Sequence, residues 1–452
     1  MERTVTQELA RFAVNLKYED IPLTVVDKVK TCILHGTCIG LAGMDIIFGK
    51  IARAQISQAP TAMGNGAVTL LGDGAKVGVM DAAFATSVLY HGRVQEDTHG
   101  TTHIGAISIP LAIALAEMNG QTGKDVITAL TAAYEVGGAL GKDYTALTTP
   151  RGWRASSIYG IFSSATVAGV LMGLNEEEMT NALGLASAFA FGTTESFKAA
   201  TMEWRFEVGL AARNGYLAAV LAKGGALAAA NAMEGDMGFF RAFAGTRENL
   251  DKITENLGKV WETNNVTFKL YPVCAFNQTQ VINSIALASE NDIDPAQITS
   301  IEVNMSEYEA NYPGQMNWGP FSTHAGTLMS APFCVAASLL NRKLTLSDLH
   351  QFEDPTILEL VNKTKIIPNP EIGFLCSRIV VTFADGTVVE RPMNVTEQYY
   401  NLDFARDVEM MRTMKDEIAI SDEKLEALIG IVGTLEQQQN MNDFISATLV
   451  DK

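Results

Sequence analysis

Between residues 129 and 222 the chain returns repeatedly to alanine and glycine, in the segments ALTAAYEVGGALG, SSATVAGVLMGL, NALGLASAFAFG and GLAARNGYLAAVLA. Segments of helical length with side chains this small let helix axes approach closely, so the chain is constrained to a dense multi-helix body. Amphipathic signals agree. Leu9, Phe12, Ala13 and Leu16 fall at the i, i+3, i+4, i+7 positions of a first helix. Pro22 is placed to open a second, with Val25, Val26, Val29, Cys32 and Ile33 on one face. The uncharged run from Ala155 to Asn175 is long enough to span a membrane. Its Ser, Gly and Ala content, including Ser163-Ser164, instead predicts a buried helix. Gly173 is the expected stop.

Near residue 265 the pattern changes. Ile301-Glu-Val-Asn-Met305 alternates as a half-buried strand does. Ile379–Phe383 and Thr387–Glu390 flank Asp385-Gly386, a hairpin turn signal. Helices are expected at Gln280–Glu290 and Pro332–Leu340, and the chain returns to helix after Pro392. The fold class read from this is mainly α: a large multi-helix domain formed by both chain ends (1–265 plus 396–452), with an inserted smaller α+β lid domain (266–395).

A short polar cluster, His91-Gly-Arg-Val-Gln-Glu-Asp97-Thr98-His99-Gly-Thr-Thr-His103, interrupts two apolar helical stretches and holds three of the six histidines. Polar groups this dense between buried elements are costly unless used, and titratable groups packed together shift one another's pKa as acid–base sites require. The segment is the candidate active site. His99 and His103 stand four apart, a spacing compatible with a metal, but no HExxH is present and no metal is expected. His91 reads as a hydrogen-bonded core histidine.

The formal charge of −18 over 452 residues excludes a nucleic-acid partner, which needs a basic surface. Cys32, Cys38, Cys274, Cys334 and Cys376 are few and widely spaced, as buried, reduced thiols are. The N-terminal segment lacks a secretory h-region, so a cytoplasmic protein with no membrane partner is expected. No Walker motif and no strand-linked G-x-G-x-x-G is found.

Several segments, in order, resemble the MmgE/PrpD family, which includes 2-methylcitrate dehydratases, cis-aconitate decarboxylases and iminodisuccinate epimerases. They are Asp81-Ala-Ala-Phe84 leading through His91 and Asp97 to His103; Gly152-Trp153-Arg154; Ala200-Thr-Met-Glu-Trp-Arg205 through Ala211-Ala-Arg-Asn-Gly215; Glu234-Gly-Asp-Met-Gly-Phe239; and Phe268-Lys269-Leu-Tyr-Pro-Val-Cys274. The resemblance implies a helical domain with an α+β lid, an active site in the cleft between them, a homodimer, no metal and no organic cofactor. It also implies proton removal beside a carboxylate of a small di- or tricarboxylate. Dehydration is the first expectation, with epimerisation, decarboxylation or a binding-only homologue as alternatives. Arg154 stands where the family has histidine, and Trp204 or Arg205 where a basic-loop lysine occurs.

Such chemistry needs a base, an acid and cations aimed at developing enolate oxygens. His103, Asp97, Lys269 and His99 are the candidate catalytic residues: His103 as acid or base, Asp97 as its partner or the base itself, and Lys269 as electrostatic stabiliser. Arg154, Arg205, Thr98 and Trp204 are the candidate substrate contacts, with Arg154 the expected carboxylate clamp. Lys198 and Arg205 also fit plain solvated charges. Tyr308, Tyr312 and Trp318 lie in a loop-like stretch that the resemblance brings near the cleft.

Overall fold

The computed structural model describes residues 3–57 and 67–450. Helix Val5–Asn15 buries Leu9 and Ala13 as its spacing predicts, and Thr4 caps it in a capping box with Gln7. Helix Leu23–Ala42 starts just after Pro22. The uncharged run is not one helix: it breaks at Tyr159 into Ala155–Ile158 and Gly160–Leu171, and the chain then turns at Gly173 (φ 67°). Helix Gly160–Leu171 is fully surrounded, packing on Ile104–Asn119, Gly123–Gly141 and Glu203–Lys223.

Glycine makes these approaches possible. A Cβ on Gly137 would lie 1.9 Å from Ser163 Oγ, and one on Gly215 would lie 2.5 Å from Ser164 Cβ. Gly137→Ala is therefore expected to destabilise the fold by about 1–3 kcal/mol through overpacking. Gly430→Ala, in helix Asp422–Gly433 with nothing within 4 Å of the new Cβ, is expected to stabilise by about 0.4–1 kcal/mol. Denaturant unfolding of the two variants checks both signs.

The apolar residues form two main cores. One draws on residues from Leu9 to Phe268 and is completed by Leu402 to Ala447 from the C-terminal helices. Helices Phe404–Thr413 and Asp422–Gly433 pack on Leu23–Ala42. The second core runs from Val273 to Tyr400 and also takes in Val94, Phe197 and Trp204. It is built on a four-stranded sheet in the order Thr364–Pro368, Ile298–Met305, Ser377–Phe383, Val388–Met393. The hairpin turns at Asp385-Gly386 with Gly386 at φ 86°. Helices Gln278–Glu290 and Ala331–Asn341 pack together beside this sheet. Two pairings were not apparent from sequence: the parallel strand Thr364–Pro368 beside Ile298–Met305, and a small hairpin of Ala67–Thr69 with Lys76–Gly78 in the otherwise helical first part.

All five cysteines are free and buried. Among the described residues no single helix is long and apolar enough to cross a membrane; Leu23–Ala42 with Ile47–Ile56 meets the length and composition requirement only as a pair bent by 92°.

Candidate active site

The polar segment joins helix Val79–Tyr90, which His91 ends, to helix Ile104–Asn119, which His103 begins. Between them the chain makes a tight reversal with Val94 at φ 56°. A β-branched residue in the left-handed region costs about 1–3 kcal/mol, and this strain sits two residues before Glu96. Thr98 and Thr267 then exchange backbone hydrogen bonds of 2.8 and 2.9 Å, an isolated bridge that fixes the chain just before Lys269 beside the cluster. The side-chain amide of Gln278 holds the next residues: it accepts from the N–H of Leu270 and Tyr271 and donates to the carbonyls of Tyr271 and Val273. Lys269 is thereby delivered, buried, to the histidines.

Glu96 is the centre of the arrangement. It is fully buried, and its Oε1 lies 2.8 Å from His91 Nδ1, 2.6 Å from His103 Nδ1 and 3.1 Å from Lys269 Nζ. Burial opposes its ionisation, but the positive charge of Lys269 and the two imidazoles outweigh that and hold its pKa well below the usual carboxylate range. The histidine protons follow from the donors around them. Arg154 Nη2 can only donate, and it lies 2.9 Å from His91 Nε2. His91 therefore accepts at Nε2, carries its proton on Nδ1 and gives it to Glu96 as a neutral ring; burial pushes its pKa well down in agreement. His103 likewise donates Nδ1–H to Glu96. Burial and the neighbouring Lys269 charge lower its pKa to about 4. Its Nε2, with no hydrogen-bond partner among the described residues, is left as a basic lone pair.

His103 and Lys269 line a cavity of about 40 Å3 together with Thr98, Tyr312 and the second-core residues Val94, Phe197, Trp204, Phe276 and Met329. Two proton-handling or cationic groups in an apolar enclosure are suited to hold an organic anion and move a proton on it. The ligating atoms of His91, Glu96 and His103 also lie within 4.8 Å of one another, as a metal trio could. Lys269 and Arg154, however, already place positive charge on Glu96 and His91, so a divalent cation there would meet two resident cations.

The model of the MmgE/PrpD N-terminal domain matches residues 7–250, and that of the MmgE/PrpD C-terminal domain matches residues 271–398. The chain belongs to the MmgE/PrpD family. Among similar MmgE/PrpD proteins, a cis-aconitate decarboxylase of Aspergillus terreus is 28% identical over 433 residues, covering 88% of this chain and 87% of the relative. A cis-aconitate decarboxylase-like protein of Aspergillus oryzae is 27% identical over 421 residues, 86% of each chain. The human cis-aconitate decarboxylase is 25% identical over 382 residues, 79% of this chain and 77% of its own.

Within this MmgE/PrpD site the expected residues separate. His103, Lys269, Thr98 and Trp204 line the cavity. His99 turns away: its Nε2 lies 3.0 Å from Glu262 Oε2, in a different pocket that also holds Lys142. Asp97 is not the partner of His103. It is fully buried against Tyr134, whose hydroxyl donates to its Oδ2 at 2.8 Å, and Glu96 takes the partner's place. Arg154 is turned to His91, the Trp204 carbonyl and Glu207, away from the cavity wall. Arg205 is not a solvated charge. It is buried, donates to the carbonyls of His91 and Gly92, and lies over the rings of Trp204 and Phe48. Lys198 is exposed. Glu96 was the residue sequence reasoning passed over, and its signal was the acid pair Glu96-Asp97 itself.

The two acids titrate differently, which gives a direct test. Burial raises the Asp97 pKa to about 6. An acid whose folded pKa exceeds its unfolded one favours folding below the unfolded value, and that contribution is lost as pH rises through the folded value. Asp97→Asn is thus expected to flatten the fall in stability between about pH 4 and pH 6 while changing turnover less than about tenfold. A hundredfold loss of turnover in Asp97→Asn would return the base to Asp97.

Proposed function

We propose that the protein is a lyase acting on a small di- or tricarboxylate, and that it works by removing a proton from the carbon beside a carboxylate. The observation that carries this reading is the lone pair of His103 Nε2, which shares an apolar cavity with the Lys269 ammonium while Glu96 fixes both. His103 takes the proton, the electron pair moves toward the carboxylate, and Lys269 stabilises the enolate oxygens. Loss of a neighbouring hydroxyl completes a dehydration: the C–O bond breaks, the double bond forms, and the His103 imidazolium carries the proton that the departing hydroxyl needs to leave as water. No metal or organic cofactor enters this scheme. The substrate-contact role falls to Thr98 and Trp204, with Arg154 and Arg205 shaping the wall from behind.

A second reading, decarboxylation, is favoured by the names of the relatives. There a C–C bond breaks, carbon dioxide departs, and the carbanion held by Lys269 is protonated by an imidazolium or ammonium. Incubation with 2-methylcitrate, cis-aconitate, tartrates and amino-dicarboxylates in D2O, followed by proton NMR and carbon dioxide release, separates the outcomes. An alkene with all carbons retained supports dehydration. Carbon dioxide with one carbon lost moves the assignment to decarboxylation, and deuterium uptake alone moves it to an isomerase. No change in any acid sinks the enzyme reading.

The pH profile follows from His103. With its pKa at about 4, the free enzyme keeps its base through neutral pH. The acid limb of kcat/KM, corrected for substrate ionisation, is expected near pH 4 and not near the ordinary histidine value of about 6.5.

A further inference from the structure

On the far side of the segments that carry Val94 and Lys269 lies a second, larger space. Val94 and Lys269 face the small cavity, while their neighbours Gln95 and Leu270 face a cleft of about 550 Å3 between the two cores. That volume is in the range of small-molecule sites. Its walls pair apolar surface, including Tyr271, Ile282 and Met410, with four cations: Arg93, Arg342, Lys343 and Arg406. Two carboxylates share the lining, Glu409 and Glu417, and Glu417 is taken by Arg93 at 2.8 Å. Arg342 is paired with Asp292 outside the cleft. The side chains of Lys343 and Arg406 have no hydrogen-bond or ion-pair partner among the described residues. In a chain of formal charge −18, a cleft whose lining cations outnumber its lining carboxylates four to two marks a place for a negative ligand.

The cleft is also wired to the site. Arg93 Nε donates to the Gln95 side-chain carbonyl at 3.1 Å, and the Gln95 amide donates to the Leu270 carbonyl at 2.9 Å. The Gln95 backbone carbonyl, one peptide before Glu96, lies 2.7 Å from His35 Nε2. A carbonyl only accepts, so His35 carries a proton there. Its Nδ1 lies 2.7 Å from Asp407 Oδ1, on the same helix as Arg406. Arg93 through the Gln95 side chain, and the helix of Arg406 through Asp407 and His35, thus both reach the residue before Glu96.

We propose that this cleft is a regulatory anion site, taking a small polyanion with carboxylate or phosphate groups against Lys343, Arg406 and Arg93. By competing with Glu417 for Arg93, the ligand alters the setting of Gln95 and hence of Glu96. The binding half is independent of the reaction assigned above; the coupling half rests on Glu96 and His103 being the working pair.

The test is calorimetric titration of the full chain with citrate and, separately, pyrophosphate, on the wild type, Lys343→Glu/Arg406→Glu and Lys269→Met. Both reversed residues are exposed, so folding is not at stake. The expected result is that one probe binds with Kd below about 1 mM, that the double reversal weakens it at least about tenfold, and that Lys269→Met changes it by less than about threefold, the size of the coupling alone. Citrate alone binding identifies a carboxylate ligand, and pyrophosphate alone a phosphate one. No heat up to about 10 mM for either probe, or loss in Lys269→Met with none in the double reversal, overturns the site. Coupling is read without any substrate, from the NMR titration midpoint of the His103 ring. A midpoint that saturating probe leaves in place overturns the regulatory claim.

Discussion

Replacing His103 by glutamine lowers kcat by about 10²–10⁴-fold, the contribution of a positioned general base, with KM changed far less. Glutamine can still donate to Glu96, so the Glu96–Lys269 contact at 3.1 Å survives and the fold with it. What disappears is the lone pair at Nε2, the base of the proposed mechanism. Steady-state kinetics on the acid identified by the NMR panel, with circular dichroism to confirm folding, provide the measurement. Turnover within about tenfold of wild type would remove His103 from the chemistry and with it the proposed mechanism.

Glu96→Gln is expected to be the most damaging isosteric change in the molecule. Three donors converge on one buried oxygen: His91 Nδ1, His103 Nδ1 and Lys269 Nζ. An amide offers one acceptor and adds two donors, and it leaves the Lys269 ammonium without its counter-charge. Breaking a buried ion pair from one side costs about 3–5 kcal/mol. Activity falls as well, since the proton on His103 is no longer held at Nδ1. The pH dependence carries the sign of the shift. Because the folded pKa of Glu96 lies well below its ordinary value, its contribution is complete above the ordinary glutamate range and is lost as pH falls through the folded value. Denaturant unfolding at neutral and acid pH should show the gap between wild type and Glu96→Gln closing toward low pH. A gap independent of pH would mean that Glu96 is not ionised in the native protein.

The sequence carried the helical body clearly because its signals are local. The face of Leu9 and Ala13, the turn at Gly173 and the Asp385-Gly386 hairpin each depend on a few neighbouring residues. The parallel strand Thr364–Pro368 did not announce itself: it is a partly exposed edge, and its partner lies some sixty residues earlier. The site was legible as a cluster and by its family motifs, but not in its wiring. Choosing between Glu96 and Asp97 depends on which of two buried neighbours meets His91 and His103, and the approach to them passes through a left-handed backbone at Val94, a conformation its side chain disfavours. His99 and His103 look like one helical face at i, i+4. A turn closed between His99 and Thr102 intervenes, so the two rings diverge. Arg154 read as a clamp because guanidinium suits carboxylate; only its contact with His91 Nε2 shows it setting a tautomer instead.

The cavity before His103 is small, about 40 Å3, against about 550 Å3 for the cleft on the other side of the same segments. Small-molecule sites run to about 300–1,000 Å3, so on the proposed reading a di- or tricarboxylate requires this cavity to widen before it can enter. Its walls come from distant parts of the chain, residues 94–103, 197–204 and 269–329, and the Thr98–Thr267 hydrogen bonds hold the chain just before Lys269 against the first of these. Capture of such a substrate then waits on that widening, and the apparent affinity is reduced by the fraction of molecules in the wider form. Substitutions in the apolar wall that favour the wider form would sharpen binding while leaving the acid–base pair untouched.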